Sequence, residues 1–453
     1  MRFRPLLHFI LALSALALPL HAREVTAGTL LARETFDEVW TILHETHFDT
    51  NFNGHNWNQV REKFRPRALA AQSPSDFRDV IQEMLDLLAV SHLAIVPGDV
   101  AAEIETQEKE KPDNKSPAPA VERADEDESG TLGLQVRYVG DQLLVTKVEP
   151  DLPAALAGIK PGWILQRIGS RSTADLKKKV PEKLDARRRD FLAWRAAANR
   201  LSGAPGTRIS LQFLDQRNRR VSLQLECAVA QGEPIKFGTL PVLYAHLNHQ
   251  TVNSPHGKNV GLIRFNIWML PTAVGFNKAI DEHRDENGLV LDLRGNVGGM
   301  VGMIIGVAGH FTPKPITLGS LVARDNTLRL PANPRFVDSS GKRVEPYSGP
   351  VAILVDEITA SASEVFTGGL QEHGRVRVFG RTTAGQALPA VYNKLPNGDA
   401  LYHPVADFLT GSGVRFEGRG VVPDEPVALD RNALLAGRDP VLERALQWLD
   451  GVQ

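Results

Sequence analysis

The chain has 453 residues, of which 42% are hydrophobic and 23% are charged. This composition supports large apolar cores, and the length predicts two or three domains. Fifty-two basic and 53 acidic residues leave a formal net charge of −1, which argues against nucleic acid or an anionic membrane surface as a partner.

The N-terminus has the pattern of an export signal. Arg2 and Arg4 precede an apolar run from Leu6 to Leu20, and the small Ala22 follows. An uncleaved membrane anchor is the alternative, but a helical span needs about 20 apolar residues. We therefore predict a signal peptide at residues 1–22 and a mature protein that is soluble and periplasmic or secreted.

Residues 23–102 are predicted to form a small helical domain. Apolar side chains recur at helical spacing within residues 31–46 and 74–89, and an extended segment follows at 91–97. Residues 103–129 are rich in acidic residues, contain prolines and have no aromatic residue. That composition predicts a flexible linker.

Short β-rich runs and a helical insertion at 172–200 occupy residues 130–229. The passage Gly158-Ile159-Lys160-Pro161-Gly162-Trp163 resembles a PDZ domain, with an ordinary β-hairpin domain as the alternative. In PDZ domains a Gly-rich loop holds the C-terminal carboxylate of a peptide, and the adjoining strand pairs with the peptide backbone. The resemblance assigns this loop to Thr131, Leu132, Gly133 and Leu134.

The remaining residues, 230–453, alternate apolar strands with helical stretches, which predicts an α/β core. Cys227 is the only cysteine, so an intrachain disulfide and a zinc site built on thiolates are excluded. Within the core, an apolar strand at 351–355 leads through a short loop to Ser361 at the start of a helix. Free N–H groups there suit a catalytic nucleophile, and they equally suit a helix-capping serine.

A second apolar strand, at residues 289–293, runs into the Gly-rich turn Arg294-Gly295-Asn296-Val297-Gly298-Gly299. Such a turn lets backbone amides approach a reacting carbonyl closely. A phosphate-binding loop is the alternative, but the turn lacks the Gly-Lys-Ser/Thr ending of a P-loop and the spacing of a dinucleotide fingerprint.

Four motifs occur in a characteristic order. They are the Asp-Leu-Arg-Gly-Asn-x-Gly-Gly turn, Thr359-Ala360-Ser361-Ala362-Ser363-Glu364, Gly380-Arg381-Thr382-Thr383-Ala384-Gly385, and Glu417-Gly418-Arg419-Gly420-Val421-Val422-Pro423-Asp424. Together they resemble peptidase family S41, the tail-specific or C-terminal processing proteases. The resemblance implies a multidomain α/β (α+β) fold with an N-terminal helical domain, an inserted PDZ domain and a ClpP/crotonase-like α/β protease core.

The resemblance also implies roles for residues. Ser361 would be the nucleophile, and the oxyanion hole would consist of the amide of Ala362 with that of Gly298 or Gly299. Well-known members carry a lysine base directly after the Thr-x-Gly motif, where this chain has Gln386.

Two other residues could replace that lysine as the general base. Lys394 is a conceivable substitute. The chain also resembles the tricorn core protease branch, in which Ser91, His92 and Glu417 match the auxiliary catalytic positions. His92 would then be the base, and Ser91 and Glu417 would orient it.

The resemblance implies a serine endopeptidase that works through an acyl-enzyme and needs no metal or cofactor, and the predicted signal peptide implies its export. Its substrates would be unfolded or tail-exposed proteins, which the PDZ domain recruits by their C-termini. The alternative is a catalytically inactive periplasmic protein of the same fold that binds peptides or apolar ligands. An α/β-hydrolase is disfavoured, since no Gly-x-Ser-x-Gly motif surrounds Ser361.

Overall fold

The computed structural model describes residues 20–98, 130–180, 184–235 and 243–452. Residues 1–19 of the predicted signal peptide and all of the predicted linker at 103–129 lie outside the described residues. Within the described ranges, no helix combines the length and the apolar character needed to cross a lipid bilayer.

Three helices and a short strand form the N-terminal part: α1 Leu20–Thr46, α2 Trp57–Leu69, α3 Pro74–Leu85 and β1 Ala94–Val96. Single 3-10 turns lie at Phe52–Gly54 and Asp86–Leu88. The two predicted helices are confirmed, and the prediction missed α2. The apolar core of these helices includes Leu395 and Leu401 from the C-terminal half, so the helices are docked on the rest of the chain.

The inserted domain contains, in chain order, β2 Gly130–Thr131, β3 Leu134–Val139, β4 Gln142–Val148, α4 Pro153–Leu156, β5 Ile164–Ile168, β6 Arg171–Ser172, α5 Thr173–Lys178, α6 Ala186–Ala198, β7 Ser202–Gly203, β8 Arg208–Leu214, β9 Arg220–Glu226, β10 Ala228–Val229 and β11 Glu233–Ile235. Its main sheet is antiparallel, in the order β3-β4-β5-β8-β9. Strand β3 is an edge of this sheet, and α6 packs against it.

The C-terminal half contains β12 Leu243–Ala245, β13 Leu247–Asn253, β14 Asn259–Phe265, α7 Leu270–Glu282, β15 Leu289–Asp292, α8 Val301–Ala308, β16 Ile316–Val322, β17 Thr327–Ala332, β18 Val351–Val355, α9 Ala362–Glu372, β19 Arg377–Gly380, β20 Ala390–Lys394, β21 Ala400–Pro404, β22 Asp407–Leu409, β23 Glu425–Pro426, α10 Arg431–Leu435 and α11 Pro440–Gly451. Its central sheet has the order β13-β14-β15-β18-β19-β23. All neighbours in it are parallel except the β13–β14 pair.

Helices cover both faces of the central sheet. Residues of α7, α8 and α9 form the larger core on one face, and α11 covers the other. Every residue of β15 and β18 is buried, as expected of parallel strands between two helical layers. The predicted multidomain α/β class is therefore confirmed.

Smaller sheets connect the parts of the chain. Strand β1 pairs antiparallel with β21, which extends the β20–β21 hairpin into a three-stranded sheet. This pairing fixes the residues just before β1, including Ser91 and His92, against the C-terminal half. The strands β16, β17 and β22 form another sheet, and β11 pairs with β12 where the chain leaves the inserted domain.

A buried histidine lies between the N-terminal helices and the C-terminal half. The His47 ring packs against Phe48 and Phe52, and the backbone carbonyl of His47 accepts a hydrogen bond from Arg324 (2.8 Å). Neither ring nitrogen has a hydrogen-bond partner in the described part of the chain. Burial lowers the pKa of His47 to about 4, so the ring is neutral in the folded protein near neutrality.

Acidification is therefore expected to destabilise the protein through His47. A histidine in an unfolded chain has a pKa of about 6.5, so between that pH and about 4 the unfolded state binds a proton that the folded state excludes. From pH 7 to pH 5 this difference should cost about 2 kcal/mol of unfolding free energy. Urea denaturation at pH 7 and pH 5 measures this loss of unfolding free energy, which should be smaller by that amount in His47→Phe than in the wild type. Equal losses in the two proteins would contradict the prediction.

Candidate active site

Two loops meet at the carboxyl edge of the central sheet. Strand β15 leads into residues 293–300 and β18 into residues 356–361. Because β15 and β18 are parallel neighbours, both loops leave the sheet at the same edge, where α/β proteins bind their ligands. Gly298 lies directly against Ser361, since a Cβ added to the glycine would be 2.6 Å from the Cβ of the serine.

Ser361 has an unusual backbone conformation for a residue that begins a helix. Its φ is 54° and its ψ is −122°, whereas a capping serine normally has negative φ in the β region. A non-glycine residue in such a region costs about 1–3 kcal/mol and persists only where its surroundings hold it. This strain distinguishes Ser361 from an ordinary helix cap and indicates a functional position.

The buried carboxyl group of Glu364 holds Ser361 in place. It accepts hydrogen bonds from the amides of Ser361 (3.1 Å), Gly385 (2.7 Å) and Gln386 (2.9 Å) and from the hydroxyl of Thr383. Burial raises the pKa of Glu364 to about 7, although these hydrogen bonds oppose the rise. Sequence reasoning assigned no role to Glu364, but the Ser-x-x-Glu spacing of a capping box was a signal for it.

The amides predicted for the oxyanion hole differ in their hydrogen bonds. The Gly298 N–H donates to Oδ1 of Asn296 (3.0 Å) and is therefore occupied. The N–H groups of Gly299 and Ala362 have no acceptor within the described ranges. Of the two glycines left open by the sequence, Gly299 is the one with a free donor.

A second cluster brings together three predicted residues from distant parts of the chain. The Ser91 hydroxyl lies 2.7 Å from Nδ1 of His92 and 2.9 Å from Oε2 of Glu417. The Ser91 N–H donates to Oε1 of the same carboxyl group (2.7 Å), and the Ala387 N–H donates to Oε2 (3.2 Å). Glu417 thus accepts hydrogen bonds at both oxygens, which favours its ionised form.

These contacts determine which nitrogen of His92 is free. When the Ser91 hydroxyl donates its hydrogen bond to Glu417, its oxygen accepts a hydrogen bond from the Nδ1–H group of His92. The other ring nitrogen, Nε2, is then left with a lone pair and can take a proton. Burial lowers the pKa of His92 to about 4 and raises the pKa of Glu417.

Ser361 and His92 line the same large cavity, which has a volume of about 1290 Å³. Gly299 also lines it, so all three residues border one space between the N-terminal part, the inserted domain and the core. No hydrogen bond joins Ser361 to His92 among the described residues. Catalytic hydrogen bonds are often long in unliganded enzymes and shorten when substrate binds.

Three of the four residues of the predicted carboxylate-binding loop line this cavity, namely Thr131, Gly133 and Leu134. The fourth, Leu132, is buried in the apolar core of the inserted domain. Residues 134–137 of the edge strand β3 and one face of α6 also line the cavity.

Lys394 and Gln386 differ in their relation to the cavity. Lys394 is exposed at the end of β20 and is not among the residues that line the cavity. Gln386 lines the cavity, and its carbonyl accepts a hydrogen bond from the Ser361 N–H (2.8 Å). The geometry therefore favours His92 over Lys394 as the base.

No group of three or more His, Cys, Asp or Glu side chains in the described part of the chain could hold a metal ion. The chemistry available at this site comes from the serine, the imidazole, the carboxyl group and the backbone amides.

Two protein families match parts of the chain. Residues 259–427 match peptidase family S41, and residues 32–86 match the tricorn protease C1 domain. The first range contains both loops at the carboxyl edge of the sheet, and it includes Ser361 and Glu417.

Similar proteins carry related names. A probable CtpA-like serine protease of Staphylococcus haemolyticus (strain JCSC1435) is 27% identical over 308 residues, which cover 67% of this chain and 54% of that protein. The carboxyl-terminal-processing protease of Picosynechococcus sp. (strain ATCC 27264 / PCC 7002 / PR-6) is 24% identical over 396 residues, covering 86% of this chain and 82% of that one. The match thus spans about half the length of the staphylococcal relative.

A solved structure has the same fold. The photosystem II D1 C-terminal processing protease superposes with a TM-score of 0.59 at 20% sequence identity, over 92% of this chain and 97% of that one. This likeness extends across the N-terminal helices, the inserted domain and the core.

Proposed function

The chain belongs to peptidase family S41, and on that premise we propose that it is a serine endopeptidase with Ser361 as its nucleophile. The observation that carries this proposal is the strained backbone of Ser361 beside a cavity that His92 and the free amide of Gly299 also line. Backbone strain of this kind clusters at functional sites, where the surrounding structure holds it.

The proposed reaction begins with attack of the Ser361 hydroxyl oxygen on the carbonyl carbon of a peptide bond. Nε2 of His92 takes the hydroxyl proton, and the carbonyl oxygen becomes an oxyanion. The C–N bond then breaks, His92 gives its proton to the leaving amine, and an ester to Ser361 remains. Water hydrolyses this ester by the same sequence, with His92 again as base and then as acid.

Ser91 and Glu417 act on the base and not on the substrate. Their hydrogen bonds keep the proton of neutral His92 on Nδ1, so that Nε2 faces the reaction. When His92 becomes an imidazolium, the carboxylate of Glu417 stabilises that charge through the Ser91 hydroxyl. We assign the oxyanion hole to the amides of Gly299 and Ala362, because neither N–H has an acceptor among the described residues.

We infer that the substrates are unfolded or tail-exposed polypeptides. The support is a cavity that both the predicted carboxylate-binding loop and Ser361 line, and an edge strand, β3, of the kind that can pair with an extended chain. We further propose that the inserted domain is a PDZ domain that recruits C-termini, and that the signal at residues 1–22 exports the protein to the periplasm or medium.

A fluorophosphonate probe tests the nucleophile. The probe should attach to the Ser361 oxygen with loss of fluoride in the wild type, and Ser361→Ala should not react, as measured by intact mass. Ser363→Ala is the matched control, because the neighbouring Ser363 hydroxyl is buried and bonded to Asn296. An unlabelled wild type would favour the alternative of an inactive peptide- or apolar-ligand-binding protein.

A further inference from the structure

Helix α6 of the inserted domain begins with three consecutive arginines, 187–189. Positive charge at a helix N-terminus opposes the helix dipole, so this sequence disfavours the helix that contains it. Asp185 caps the helix by accepting from the amides of Arg187 and Arg188 (both 3.1 Å), which fixes the first turn. The side chains of these two arginines reach out of their own domain.

Arg188 holds the segment that carries two of the proposed catalytic residues. Its guanidinium donates to the carbonyl of Ala89 (3.1 Å) and to that of Val90 (2.9 Å), the residues immediately before Ser91 and His92. Ala89 and His92 both have positive φ, 52° and 56°. Two such non-glycine residues within four positions need external contacts to persist, and Arg188 supplies contacts to this segment.

Arg187 holds the segment that carries the third residue. Its guanidinium donates to the carbonyl of Gly418 (2.5 Å) and to that of Arg419, the two residues immediately after Glu417. Gly418 and Gly420 have φ of 73° and 74°, a conformation that favours glycine. The turn they form presents these carbonyls to the arginine.

Arg187 and Arg188, which are neighbours on one helix, therefore bond to both segments of the Ser91–His92–Glu417 cluster. Ser91 and Glu417 are 326 residues apart in sequence. We propose that Arg187 and Arg188 are positioning residues that hold the Ser91–His92 segment against Glu417 and so keep Nε2 of His92 oriented for catalysis. Their partners are backbone carbonyls, so the contact depends on guanidinium donors and not on a particular acidic side chain. This inference rests on the proposed function.

Helix α6, which carries this arginine clamp of Arg187 and Arg188, also lines the cavity. Other side chains of α6 line the cavity on the side of the inserted domain: Phe191, Leu192, Trp194, Arg195 and Ala198. A polypeptide that enters the cavity therefore touches the helix that holds the catalytic cluster. The clamp makes the inserted domain a structural part of the active site.

The test compares Arg187→Met, Arg188→Met and the double variant with the wild type. Arg200→Met is the control, because Arg200 follows the same helix and, within the described ranges, its guanidinium donates to the Ala196 carbonyl of its own domain. Hydrogen exchange measured by mass spectrometry on peptides covering residues 86–94 and 414–422 reports the clamp directly. The second-order rate constant of Ser361 labelling by a fluorophosphonate reports its effect on catalysis.

In the double variant we expect faster exchange in the peptide covering residues 86–94 and a labelling rate lower by at least about tenfold, with the control unchanged. Arg188→Lys should recover part of the rate, since an ammonium can still reach one carbonyl. Unchanged exchange, or faster exchange with an unchanged labelling rate, would overturn the proposal. A wild type with slow exchange in both peptides that is nevertheless not labelled would refute the proposed function instead. The difference in exchange between the wild type and the double variant would then decide whether the clamp exists.

Discussion

His92→Ala is expected to lower kcat for cleavage of an unstructured protein by about 10⁴-fold or more. The alanine removes the imidazole that the proposed reaction uses as proton acceptor for Ser361. The other imidazoles that line the cavity among the described residues, His55 and His246, belong to other segments of its wall, and no lysine of the described ranges lines it. Cleavage of casein by the purified chain, with the wild type assayed in parallel, measures the loss.

Lys394→Ala is the matched control for this prediction. Because Lys394 is exposed and does not line the cavity, its variant should cleave casein at the wild-type rate. The reverse result, an active His92→Ala and an inactive Lys394→Ala, would contradict the Ser–His assignment and establish a displaced Ser–Lys dyad. The kcat values of Ser91→Ala and Glu417→Gln should lie between those of His92→Ala and Lys394→Ala, because Ser91 and Glu417 orient the base but do not take the proton themselves.

The parts of the fold that follow from local sequence were predicted well. The runs at 289–293 and 351–355 are continuously apolar, which is typical of strands buried on both faces. Both are strands of the central sheet. Helix α2 was missed although Asn56 caps it and Val60 and Phe64 have helical spacing, because polar residues dominate the rest of that segment.

The arrangement of the site depended on contacts that no local pattern contains. Ser91 and Glu417 could be connected only through a family resemblance, because the pairing of β1 with β21 that brings them together is long-range. The occupied amide of Gly298 depends on the side-chain direction of Asn296. Sequence reasoning therefore proposed the reacting groups but left open which glycine has the free donor.

Arg137 illustrates a contact between domains that sequence reasoning did not find. This residue of β3 is almost fully buried, and its Nε lies 2.6 Å from Oδ2 of Asp356, in the loop before Ser361. The other oxygen of Asp356 accepts from the amides of Gly295 (2.9 Å) and Thr359 (3.1 Å). Although burial opposes ionisation, the charge of Arg137 and these hydrogen bonds keep the pKa of Asp356 below its usual value.

Arg137→Met is expected to destabilise the protein by about 3–5 kcal/mol, because it leaves the carboxylate of Asp356 buried without its partner charge. Urea denaturation measures the loss, and Arg208→Met is the control. Arg208 forms an exposed pair with Glu226 in the same domain (3.3 Å), and such pairs contribute about 0–1 kcal/mol.

The double variant Arg137→Met, Asp356→Asn separates the charge effect from the loss of packing. If the unpaired carboxylate causes the destabilisation, the neutral amide should recover a large part of it, so the two substitutions should be strongly non-additive. Additive losses would mean that Arg137 acts through its packing on the Trp194 ring, which lies 5.7 Å from the guanidinium. Non-additivity would instead show that this ion pair is one of the contacts that hold the inserted domain against the loop carrying Ser361.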